Sequence, residues 1–196
     1  MTGPAGQEAA LRLEQAAALL GAYCAIERRL FELTGAMAQD PEMPKEVQLY
    51  LDTLSAQHAW HAELWADRLP VVASIDAQAL VVVPPPVDQV IAATASAGRI
   101  DCLAALFRLV LPRLVSSYSR HAMVATAVSE APTMRALTLV LRDEAEEWAG
   151  GEHLVERVLR GPEAVASAGR LVVALESGLV ASGIVPGLVP WPARGA

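Results

Sequence analysis

The chain has 196 residues, a formal net charge of −7 and 54% hydrophobic residues, but only 5% aromatic residues. This length predicts a single domain over residues 1–196. The acidic balance, without a basic run or an arginine stripe, excludes nucleic acid as an expected partner. A core built mainly from Ala, Leu and Val favours close-packed helices over a β-sandwich.

The sequence also predicts a cytoplasmic protein that does not enter a membrane. Glu8 and Glu14 interrupt the N-terminal stretch, which lacks the basic start of a signal peptide. The apolar stretch 171–190 is broken by an acid, glycines and prolines, so it is a poor membrane span. Cys24 and Cys102 are too few for a disulfide framework and are expected to be buried free thiols.

In chain order, the first predicted element is a helix over 8–36, because apolar residues recur at spacings of three and four. A break with two prolines follows, and a second helix is predicted over 44–68. The inward positions of the first helix are predicted to be Leu13, Ala17, Leu20, Cys24, Phe31 and Thr34, and those of the second Val47, Leu51, Leu54 and Trp65.

The rest of the chain predicts a second helix pair after a long connection. Residues 69–98 contain extended Pro-rich chain and a short helix over 87–96, a length expected when one connection crosses a whole bundle. Helices are then predicted over 99–128, with a kink at Pro112, and over 133–159. A fifth helix is predicted over 162–182. The core bundle is therefore 8–160, with 161–196 as a C-terminal helix and tail.

On each bundle helix, the inward-facing positions form a stripe that is apolar at both ends and polar in the middle. Histidines and glutamates at spacings of three share one helix face. Three of the four histidines, His58, His61 and His121, fall on inward positions, where each would land by chance in roughly 2 cases in 7, and His153 lies beside the inward face. The inward polar positions are Glu27 on the first helix, His58 and His61 on the second, Ser117 and His121 on the third, and Glu144 and Glu147 on the fourth.

A divalent metal ion is the simplest way to bury these groups together. An unpaired buried carboxylate would take up a proton, and converging acids would repel one another. A metal ion instead prefers ionised carboxylate and neutral imidazole. The sequence therefore predicts metal ligands at Glu27, His58, His61, His121, Glu144 and Glu147.

Plainer interpretations stand beside this one. His121 could be a hydrogen-bonded core histidine, and Tyr118 could then supply the group from the third helix. The run 143–147 could be a solvated face, of which two of the four acids must point outward in any case. Glu27 could pair with the arginines that follow it. If no metal is bound, His58 or His61 could serve as the general base of a substrate pocket.

The layout resembles the ferritin-like superfamily, whose dinuclear members use one Glu from each of two helices and Glu-x-x-His from each of the other two. Glu27 resembles the Glu of the first helix. The segment 58–61 resembles the second-helix motif, with His58 in place of Glu. The segment 143–147 resembles the Asp-Glu-x-x-His of the fourth helix, with Glu147 in place of His. The third helix lacks an acid between 101 and 130.

The resemblance implies a ferritin-like four-helix bundle with a long crossover, and a non-haem oxidase or oxygenase acting on a small organic molecule. It implies iron or manganese, with two ions favoured over one zinc ion or none. A metal-dependent hydrolase or lyase and a metal-free accessory or binding protein are the alternatives. The apolar C-terminal region further predicts a homodimer.

Overall fold

The computed structural model describes residues 10–192, and its ordered elements are all helical, so the predicted all-α class is confirmed. The start predicted at residue 8 lies outside the described residues. The helices are α1 (Leu13–Ala38), α2 (Lys45–Ala66), α3 (Pro85–Ala95), α4 (Arg99–Ala105, continuing through Leu106–Val110 to Leu111–Val124), α5 (Ala131–Val158) and α6 (Pro162–Ala181).

Two helix pairs, α1 with α2 and α4 with α5, form the main packing units, and α2 also contacts α5. The connection between the pairs runs along α1, through a short 3₁₀ turn at Gln78–Leu80 and then through α3. Gly21 allows this approach, because a Cβ there would lie 2.2 Å from the carbonyl oxygen of Leu80. Buried apolar side chains from all six helices join one hydrophobic core.

The predicted kink at Pro112 takes the form of a π-helical turn. Proline has no N–H and clashes with the carbonyl four residues earlier, so the helix widens before it. The N–H of Leu111 accordingly bonds to Leu106, five residues back. Phe107 lies in this turn and packs directly against Gly151 of α5, where a Cβ would lie 1.9 Å from its Cε1 atom.

Two inward positions predicted for α1 are wrong. Leu13 and Phe31 are 52% and 44% exposed. Leu13 is the first residue of the helix. Beyond Glu27, the 3.6-residue period carries the inward face past Phe31, and the buried positions are Leu30, Leu33, Thr34, Met37 and Ala38.

The segment after α6 folds back onto α4. The Arg113 guanidinium donates to the carbonyl oxygens of Ile184 and Gly187 at 3.0 and 2.7 Å, and it also pairs with Glu176. The hydroxyl of Ser117 accepts hydrogen bonds from the N–H groups of Leu188 and Val189.

Among the described helices, α6 alone is long and apolar enough to cross a membrane by length and composition, with a mean hydropathy of 1.5 over its best window. Core helices of globular proteins pass the same test, although only 11% of this window is buried. Its buried residues are Ala168, Leu175 and Leu179, and it packs on α3 and α4. The expected absence of a membrane partner therefore stays a prediction.

We predict that Gly151→Ala lowers the free energy of unfolding by about 1–3 kcal/mol, because the new methyl group overlaps the Phe107 ring in a filled core. The matched control is Gly169→Ala on α6, which has no neighbour within 4 Å of its Cβ position. That change should raise stability by about 0.5–1 kcal/mol, since alanine favours helix. Urea denaturation of both variants measures the difference, and equal effects would contradict the packing described here.

Candidate metal centre

Four predicted residues converge at the centre of the molecule. Glu27 comes from α1, His58 and His61 from α2, and Glu144 from α5. One possible ligand atom of each lies within 4.8 Å of those of the others, and all four residues are completely buried. This group could hold a metal ion.

The imidazoles and carboxylates of the group lie within hydrogen-bond or ion-pair distance of one another. His58 Nδ1 lies 2.7 Å from Glu27 Oε2 and 3.5 Å from Glu144 Oε1. His61 Nδ1 lies 3.3 Å from Glu144 Oε1 and 3.7 Å from Glu27 Oε1. Each carboxylate therefore meets both imidazoles, so the four groups form one electrostatic unit and not two separate pairs.

Helix α4, the third helix of the predicted bundle, contributes Tyr118 to this unit. The Tyr118 hydroxyl donates a short hydrogen bond to Glu27 Oε1 and accepts one from Trp65 Nε1 at 3.2 Å. The Tyr118 ring also packs edge-on against Tyr23, with centroids 4.7 Å apart. This aromatic wall closes the α1–α4 side of the group.

His121 is buried as predicted, but it does not join the group. The expectation that it is one of the converging ligands is therefore corrected. It lies nearly one helical turn beyond Tyr118, close to where α4 ends at Val124. At that level it meets Glu130, which immediately precedes α5, and its Nε2 lies 3.1 Å from Glu130 Oε1. The sequence analysis did not identify Glu130, because a turn acid carries no helical signal.

Glu147 lies beside the group but outside the four converging ligand atoms. It is one turn beyond Glu144 on the same face of α5 and is 5% exposed. Neither of its carboxylate oxygens has a hydrogen-bond partner. Tyr50 does not bond to this carboxylate but donates to the backbone carbonyl of Glu147 at 2.6 Å.

Asp143 is a neighbour that the sequence analysis left unassigned. Its Oδ2 lies 3.6 Å from His61 Nε2, the ring nitrogen that points away from Glu27 and Glu144. The side chain is 12% exposed and also pairs with Arg142 at 3.0 Å. Its position four residues before Glu147 places both on one helix face, which is the signal that could have found it.

Burial and mutual charge shift the pKa values of these groups strongly. Burial would lower the pKa of His61, but its hydrogen bond to Glu144 and the nearby carboxylates outweigh this and raise it to about 9. Burial would raise the pKa of Glu144, but the two imidazoles outweigh this and lower it to about 2. Burial, reinforced by the charge of Glu144, raises the pKa of Glu147 to about 8.

The donor set fits a divalent metal ion on two grounds. Glu144 Oε2 is buried without a hydrogen-bond partner, a costly state that an ion held by the group relieves. Two imidazoles with two carboxylates also suit iron, manganese or zinc better than Ca²⁺ or Cu(I).

Cavities of about 420–620 Å³ open at the surface, and the four central residues border none of these four. At the α2–α5 seam, two partly exposed residues lie next to His61. They are Asp143, and Trp60, which is 42% exposed and whose ring lies 5.5 Å from that of His61.

Comparisons of the chain with family models, curated proteins and solved structures return no match.

We predict that the metal-free protein loses stability as the pH rises from about 6.5 to 9. The native pKa of His61 is about 9, above the ordinary value of 6.5, so the native state holds a proton that the unfolded state releases first. The stabilisation is complete below pH 6.5 and lost above 9. Metal affinity should change in the opposite direction, because a metal ion must displace the same proton.

Urea denaturation of metal-free protein at pH 6 and pH 9 measures the first trend, and metal titration over the same range measures the second. Glu147→Gln should flatten part of the loss in stability, since ionisation of this buried carboxyl, with a pKa of about 8, adds to it. Stability that rises between pH 6 and 9 in metal-free protein would contradict the charge arrangement.

Proposed function

We propose that this chain is a divergent ferritin-like protein and a metal-dependent oxidase or oxygenase of a small organic molecule. The observation that carries the proposal is the fully buried group of Glu27, His58, His61 and Glu144, in which Glu144 Oε2 has no hydrogen-bond partner. Burying four ionisable side chains at the centre of an apolar core is expensive unless it serves chemistry.

The order of the elements supports the ferritin-like assignment. Two helix pairs are joined by a long connection that runs along α1, as in bundles with one crossover. One carboxylate comes from α1, an i, i+3 pair from α2 and another i, i+3 pair from α5, which is the order of ligands in the dinuclear members. The departures are His58 in place of Glu, Glu147 in place of His, and α4, which presents Tyr118 where those members have a carboxylate.

We further propose iron or manganese as the metal. The central group would hold one ion, and Glu147, with two free oxygens beside it, would help to hold a second. Such ions, when bound, would supply electrons that activate dioxygen for the oxidation of organic molecules. One zinc ion would instead suit the hydrolase or lyase alternative.

The residues around the group have separate roles in this proposal. His58 and His61 bind the metal through Nδ1, and Asp143, whose Oδ2 lies 3.6 Å from His61 Nε2, favours a proton on that second nitrogen, an arrangement common among metal-bound histidines. Tyr118 fixes Glu27 by donating to Oε1 and excludes water together with Trp65. Glu147 can hold a proton on its carboxyl group near neutral pH, because its pKa is raised to about 8.

The organic substrate would approach from the α2–α5 seam. The aromatic wall of Tyr118, Trp65 and Tyr23 fills the opposite side. The four central residues line none of the four cavities described above, and in this proposal side chains at the seam move to admit the organic molecule. Asp143 and Trp60, which are partly exposed there, are the candidates for that movement.

One observation favours a metal-free accessory protein as the second candidate. Two imidazolium ions and two carboxylates neutralise one another, and their contacts of 2.7–3.7 Å already form a connected network. A protein could retain such a network for structure alone. The two candidates differ in whether metal is bound, so metal content separates them.

Protein purified without chelators and reloaded anaerobically with Fe²⁺ or Mn²⁺ should retain up to two equivalents of metal by elemental analysis. His58→Ala and Glu144→Ala should each remove most of it, because each deletes a ligand. The matched control is His153→Ala, which changes an exposed histidine on α5 and should retain metal. One equivalent of zinc in preference to iron would favour the hydrolase or lyase alternative. If no metal is retained under any loading, the metal-free accessory protein becomes the favoured alternative.

Asp143→Asn is a variant for the same metal-binding experiment in which we expect a partial loss of affinity. Loss of a carboxylate that orients a metal-bound histidine typically weakens affinity about 10–100-fold, without abolishing binding. Arg142→Gln is the control, since it removes the surface partner of Asp143 and leaves His61 untouched. Equal metal affinity in Asp143→Asn and the parent would remove Asp143 from the proposed site.

We also propose that the protein forms a cytoplasmic homodimer through the outer face of α6. Val165, Val173 and Val180 are about half-exposed or more and lie seven or eight residues apart, on one side of the helix. Light scattering at tens of micromolar should show a dimer, and Val173→Glu should shift it toward monomer. Monomeric parent protein at that concentration would contradict the proposal.

A further inference from the structure

Three sulfur-containing side chains border one cavity that is separate from the central Glu/His group. Met37 lies in the last turn of α1, Met43 in the loop before α2, and Cys102 in the first part of α4. The cavity has a volume of about 590 Å³ and opens where α1, α3 and α4 meet. All three side chains are more than nine-tenths buried and line its wall.

Two of these sulfur atoms are already in contact. The Cys102 thiol donates to Met37 Sδ, with 3.4 Å between the sulfur atoms. Two sulfur ligands of one metal ion, each with a bond of about 2.3 Å, can lie at most about 4.6 Å apart. The Cys102–Met37 pair is therefore within the span of a shared ion. Met and Cys often fill gaps in cores, but here they face a cavity instead of filling it.

The harder donors around this cavity are already engaged. Glu32 pairs with Arg29 at 2.7 Å, and Asp40 pairs with Arg99 at 3.0 Å. Among the described residues, the group of His, Cys, Asp and Glu side chains with converging ligand atoms is the central one, and it does not include Cys102. The donors left at the cavity are one thiol and two thioethers, a soft set that selects Cu(I) over zinc, iron or manganese.

The geometry points to a Cu(I) site formed by Cys102, Met37 and Met43, independent of the proposed oxidase function. On binding, the S–H bond of Cys102 breaks, its proton leaves to solvent, and a copper–thiolate bond forms. The two thioether sulfurs each donate an electron pair to the same ion. Copper stays in the +1 state throughout, so the exchange needs no oxidant or reductant.

The test is anaerobic titration with Cu(I) in competition with a coloured Cu(I) chelator of known affinity. The parent protein should withhold one equivalent from the chelator. Cys102→Ser should lose this equivalent, and Met37→Leu should weaken binding at least tenfold. Leucine nearly conserves the volume of methionine, so Met37→Leu should fold normally even if Cys102→Ser does not.

Matched controls separate this site from the rest of the protein. Met123→Leu changes a methionine that is 78% exposed, and Cys24→Ser changes the other buried thiol. Both should bind Cu(I) like the parent. The inference is overturned if the parent withholds no copper, if Met37→Leu and Met43→Leu bind like the parent, or if Cys24→Ser or Met123→Leu loses the equivalent.

Discussion

The structure depends on mutual neutralisation of buried charges at its centre. Glu27 and Glu144 approach the two imidazoles from opposite sides, and all four side chains lie out of contact with water. Removing one member would leave another buried charge without a partner, which costs far more than the loss of one surface ion pair. The network therefore fixes the axial positions of α1, α2 and α5 relative to one another, and the apolar side chains on either side of it pack accordingly.

Much of this arrangement is encoded in local periodicity. A helix buries positions three and four residues apart, so an apolar stripe with a polar centre predicts which polar side chains turn inward. Glu27, His58, His61, Glu144 and Glu147 are all buried for this reason. The same periodicity, together with proline and the Gly-rich breaks, gave helix ends within a few residues for α2, α5 and α6.

The sequence could not reveal which residues meet across helices. Tyr118 and His121 are both inward on α4, and only the axial offset between α1 and α4 decides that Tyr118 reaches Glu27. That offset depends on long-range packing, which has no local signal, and on the π-helical turn before Pro112, of which the sequence predicted only a kink. The pairing of Asp143 with His61 Nε2 is hidden for a related reason, since it requires the orientation of a ring on another helix.

The group has a different environment on each side. Tyr118, Trp65 and Tyr23 form an aromatic wall that offers Glu27 one hydroxyl. On the α5 side, His61 Nε2 faces a partly exposed carboxylate, and neither carboxylate oxygen of Glu147 has a hydrogen-bond partner. A cation that entered the group would have to displace protons from the imidazoles, and Asp143, 3.6 Å from His61 Nε2, is an acceptor with partial access to solvent. In the proposed metal site, ion entry and proton exit would therefore use the α2–α5 seam, and the aromatic wall would keep Glu27 in place.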